Sequence, residues 1–101
     1  MEDLCFDAQQ AAEKAIKAVL IFRKTRFPYV HDLDVFLTFL SESAMEIPEA
    51  VWQARKLTPY AVEARYPSIG REVTEEQYAE AISIAEAVLG WAQQVLSGLS
   101  D

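Results

Sequence analysis

The chain has 101 residues, half of them apolar, which is enough for one domain with a thin core, since a domain of this size buries only somewhat over ~60% of its unfolded surface. Its net charge of -7 argues against a protein that coats long nucleic acid by neutralising many phosphates. A single Cys excludes an internal disulfide, the opening "MEDLCFDAQQ" is acidic where a secretory signal would be basic and then apolar, and no apolar run approaches the ~20 residues of a membrane span, so a soluble cytoplasmic protein is expected.

From about Asp3 to Lys24 there is no Pro or Gly, and Leu4, Ala8, Ala11, Ala12, Ala15, Ile16, Val19 and Phe22 recur at helical spacing. The spacing predicts one long helix whose alanine-rich stripe lets a neighbouring helix approach closely. Glu13 and Lys17 are placed as an i,i+4 pair on its surface. The charge is unevenly spread here: Lys14, Lys17, Arg23, Lys24 and Arg26 are five of the nine basic residues, and no acidic residue falls between Glu13 and Asp32. One positive region results. A solvated helix face with a basic last turn would explain it equally well.

Pro28 marks the turn, because it lacks an N–H and disfavours helical backbone at Phe27. Leu33, Phe36, Leu37 and Leu40 then predict a second amphipathic helix over about His31 to Ser43, with Asp32 and Asp34 at its positive end. "EIPEAVWQARKLTPYAVEARYP" reads as two shorter helical pieces. One opens at Pro48 and the other at Pro59, with Thr58 as N-cap and Pro67 as terminator. "SIGREV" is a loop.

Thr74 and Gln77 form a capping box ahead of the last helix, in which Tyr78, Ile82, Ala85, Leu89, Ala92 and Leu96 repeat at 3,4 spacing. Val88, Trp91 and Val95 add a second apolar stripe, which suggests a helix packed on two sides, within the subunit or across a dimer, where part of a dimer interface would be sought. With no strand alternation, repeat or linker, the fold class is all-α, an antiparallel, up-and-down helical bundle in a single domain over residues 1–101.

"CFDAQQAAEKAIKAVLI", then "HDLDVFL" and later "RYP", resemble the HEPN family (higher eukaryotes and prokaryotes nucleotide-binding) of small helical proteins. The matching segments are Ala8 to Ala18, His31 to Leu33 and Arg65 to Pro67, three ordered motifs spread over nearly the whole chain. The resemblance implies a further amphipathic helix ahead of the first one here, a helix this chain lacks because Met1 stands four residues before Cys5. Either the start is truncated, or a partner subunit covers the surface that helix would bury. It also implies, for a toxin subgroup, an adenylylated Tyr two residues after the His; that position is Leu33 here, with Tyr29 nearby.

HEPN ribonucleases carry an Arg, four to six residues, then a His, and Arg26 with His31 meets the shortest form of that spacing. Metal-independent RNA cleavage needs a base for the 2′-hydroxyl, an acid for the leaving 5′-oxygen and a cation near the phosphorus. A histidine, whose unperturbed pKa is ~6.5, suits either proton transfer, and an arginine holds two phosphate oxygens at once. One His per chain makes a homodimer a chemical requirement of that reaction. The resemblance therefore implies a partner of a minimal nucleotidyltransferase in a toxin–antitoxin-like pair, with Arg26 and His31 catalytic. The alternatives are a non-catalytic nucleotide-binding or nucleotidyltransferase-interacting module, and a remnant without activity. Lys17, Arg23 and Arg65 are candidate ligand-binding residues for RNA or a nucleotide, although Arg65 also suits a structural role in "RYP". No Gly-rich phosphate loop or hydrolase motif is present, and no cofactor is expected. A zinc site cannot be assembled from one Cys and one His. Cys5 reads as a buried core thiol, and Trp52, Tyr60 and Trp91 as core or interface aromatics.

Overall fold

A computed structural model describes residues 2–28, 30, 32–43, 45–60 and 74–98. His31, Tyr29 and Arg65, together with the "RYP" and "SIGREV" segments, lie outside the described residues. The elements are α1 (Glu2–Phe22), α2 (Leu33–Glu42), α3 (Glu49–Trp52), a 3-10 segment (Gln53–Leu57) that passes into α-helical geometry at residues 58–60, and α4 (Glu75–Leu96). No strand occurs among the described residues, and the all-α bundle expected from the periodicities is borne out. No helix among these residues is long and apolar enough to cross a membrane.

The principal contact is α1 against α4, the two longest helices, with α2 and the 3-10 segment packed on α1. The core draws Cys5, Ala12, Ile16, Val19 and Leu20 from α1, Leu33, Phe36, Leu37 and Leu40 from α2, and Val51, Ala54 and Leu57 from the following segment. Cys5 is fully buried in this core, as its sequence neighbours imply.

Helix ends follow local chemistry. α1 stops at Phe22 rather than Lys24: the Thr25 N–H donates to the Leu20 carbonyl at 2.9 Å and the Lys24 N–H to the Ile21 carbonyl at 3.0 Å. This paired closure needs a left-handed residue, and Lys24 supplies it with φ 56°. α2 begins at Leu33, because the Asp32 carboxylate accepts the Asp34 N–H at 3.0 Å and so occupies the N-cap. The capping box of α4 is present in full, with the Gln77 N–H donating to Thr74 Oγ1 at 3.1 Å and the Thr74 N–H to Gln77 Oε1 at 3.0 Å.

Two expectations are corrected. Thr58 is not an N-cap, since its backbone is right-handed helical (φ -50°, ψ -44°) and the helix runs through it without a break. Its hydroxyl instead accepts the Leu33 N–H at 3.2 Å, satisfying one of the orphan donors at the start of α2. The second correction concerns α4. Val88, Trp91 and Val95 face the subunit's own core together with Ala81, Ile84, Ala85 and Ala92, so they are not free to form a dimer face. Leu89 and Leu96, assigned to the inward stripe by sequence, are 44% and 40% exposed.

Candidate functional site

The basic region gathers around the C-terminal end of α1 and the connection to α2. Phe27, one residue after Arg26, packs edge-on against Phe36 of α2, with ring centroids 5.6 Å apart at 83°. That aromatic contact ties the connecting loop to the core, so the exposed Arg26 stands beside a fixed anchor rather than on a free tether. No carboxylate pairs with Arg26 among the described residues, which leaves its planar donor fork open to solvent and to an anion.

Phe36 also receives Lys17, whose ammonium lies 5.4 Å from the ring centroid. Lys17 and Phe27 therefore meet the same ring, and Arg26 follows directly behind Phe27. The Lys17 ammonium donates to Glu13 Oε2 at 2.9 Å, while Gln9 Nε2 donates to Glu13 Oε1 at 2.8 Å. Gln10 Nε2 in turn donates to Gln9 Oε1 at 2.7 Å. Glu13 is not on the helix surface as its pairing with Lys17 suggested: it is 5% exposed, and Gln9 is fully buried. The reason is angular. Residues 9, 13 and 17 sit four apart and form one row beside the apolar stripe of Cys5, Ala12, Ile16 and Val19, so the first two members go under with it and only Lys17 reaches the edge. The Gln-x-x-x-Glu-x-x-x-Lys spacing was the available sequence signal.

Arg23 reaches away from this cluster. Its Nη2 donates to the carbonyl of Ser43, the C-cap of α2, at 3.3 Å, where a cation favours the negative helix end. A carbonyl does not neutralise it, so the guanidinium keeps its full charge at the rim. Of the residues singled out by sequence, Lys17, Arg23 and Arg26 thus lie about one end of α1. His31 and Arg65 fall outside the described residues.

These features define a small all-α bundle with a cationic loop between its first two helices. The family model for the HEPN domain matches residues 1–95, and the chain belongs to the HEPN family. No curated protein and no solved structure matches the chain.

Proposed function

We propose that this HEPN domain is a metal-independent endoribonuclease acting as a homodimer in the cytoplasm. Arg26 holds phosphate charge, and the His31 side chains of the two subunits share the proton transfers. The observation that carries this reading is Arg26 itself, an exposed arginine with no carboxylate partner among the described residues, set on a loop pinned by the Phe27–Phe36 contact. An arginine kept only for structure would be expected to spend its donors on the protein.

Dimerisation is supported by the outward side of α1. Leu4, Ala11, Ala15, Ala18 and Phe22 follow one another at coiled-coil spacing, with exposed large residues at either end and small ones between, where a second helix can approach closely. We place the subunit contact there in preference to α4. The natural setting is a toxin–antitoxin-like pair with a minimal nucleotidyltransferase, which would silence the activity. The second reading, a non-catalytic nucleotide-binding or nucleotidyltransferase-docking module, draws on Lys17, whose charge is already matched by Glu13.

The test is cleavage of total RNA in EDTA by the purified chain, beside His31→Ala and with light scattering on the same samples. Cleavage by a dimer that disappears with His31 supports the ribonuclease. A well-folded dimer that cleaves nothing overturns it in favour of the binding module.

A further inference from the structure

Lys14, Lys17 and Ile21 are spaced 3 and 4 apart on one side of α1, beside the alanine face but distinct from it, and Lys24 follows three residues later just past the helix end. At 1.5 Å per residue the row is about 15 Å long and leads to Arg26. Lys14 and Lys24 are exposed and no carboxylate pairs with either among the described residues, and Ile21, at 67%, is the most exposed large apolar side chain described. Asp7, exposed one heptad before Lys14, bounds the row, and within the row Glu13 pairs with Lys17.

Lys24 adds an independent observation. It is the one described non-glycine residue with positive φ, at 56°, and α4 closes in a similar way with Gly98 at φ 77°. A lysine held where glycine is the unstrained choice suggests that its charge is worth more than the strain.

We infer that this row is a track for single-stranded RNA, with Lys14, Lys24 and Arg26 on phosphates along the strand and Ile21 against a ribose or base. Charge complementarity selects the occupant: a positive row on a chain of net charge -7 suits a polyanion, whereas a second copy would set lysine against lysine across a twofold axis. The inference rests on the ribonuclease reading for its purpose but not for its test, which reads binding.

The experiment is fluorescence anisotropy of a labelled oligouridylate in EDTA between 50 and 200 mM salt, roughly the range over which phosphate contacts are read. The chains compared carry His31→Ala alone, then with Lys14→Gln, Lys24→Gly, both, or Lys56→Gln as a control on the 3-10 segment. The expected result is weaker binding in the Lys14→Gln, Lys24→Gly and doubly substituted chains than in the His31→Ala parent, with the salt slope reduced by about 0.7 for each lysine removed, and no change in the control. Lys24→Gly should melt no lower than its parent, so its loss of binding is not a loss of fold. No binding by the parent, losses no larger than the control's, or a change of oligomeric state in Lys14→Gln or Lys24→Gly would each overturn the track. Cleavage by the His31-containing chain is scored separately: binding without cleavage removes the ribonuclease and leaves the track standing.

Discussion

The Glu13 carboxylate holds the Lys17 ammonium at 2.9 Å from a position only 5% exposed, one helical turn below the rim of the candidate site. Such a pair is worth less as an attraction than its rupture costs, because the buried partner has lost its water. The two halves are unequal. Glu13→Leu leaves the buried Gln9 amide without its acceptor and should cost about 1–3 kcal/mol of stability. Lys17→Met takes the ammonium away from a carboxylate that stays buried, so the larger loss is expected. Urea unfolding of the two variants checks the order.

Lys24→Gly should stabilise the chain. Removing Cβ from a left-handed position relieves about 1 kcal/mol, and for a domain of this size that raises Tm by about 4–8 °C per kcal/mol. A melting curve by circular dichroism reads it directly. A Tm below that of the parent would mean that the lysine stem contributes packing that outweighs the backbone relief.

Much of this fold is legible from sequence because its signals are local. The Thr74–Gln77 box, the Asp32 and Asp34 pair and the apolar spacing of α2 act within one or two turns, and each appears where the residue types place it. What is not legible depends on neighbours far along the chain. Leu89 and Leu96 are larger and more apolar than Ala81 and Ala92, yet the alanines face inward, because close approach of α1 and α4 favours small side chains at the contact. Thr58 carries every mark of an N-cap and spends its hydroxyl on another helix. At the candidate site, Arg26 was found by its spacing to His31, while the aromatic anchor that holds its loop depends on two residues nine apart meeting edge to face.

Thr58→Val tests that long-range bond. The hydroxyl serves the Leu33 N–H at the first residue of α2, and Leu33 is itself fully buried. Loss of the acceptor should cost about 1 kcal/mol and speed amide exchange at Leu33, whereas Thr58→Ser should retain both. Because Leu33 lies two residues beyond His31, the ribonuclease reading adds a functional consequence: RNA cleavage should fall in the valine variant and recover in the serine one.

Arg26 separates charge from geometry most directly. It is exposed and shares no ion pair with a described residue, so Arg26→Gln should leave stability within about 0.5 kcal/mol of the parent. Under the proposed reaction it removes the cation facing the phosphate and should slow cleavage by about 10²-fold or more. Arg26→Lys restores a positive charge without the planar fork that grips two oxygens together, and partial recovery is expected. Single-turnover cleavage of a defined RNA, run beside the anisotropy assay, measures both effects. Equal activity in lysine and arginine forms would reduce Arg26 to a point charge on the track. Full activity in the glutamine form would move the phosphate-stabilising role away from this loop.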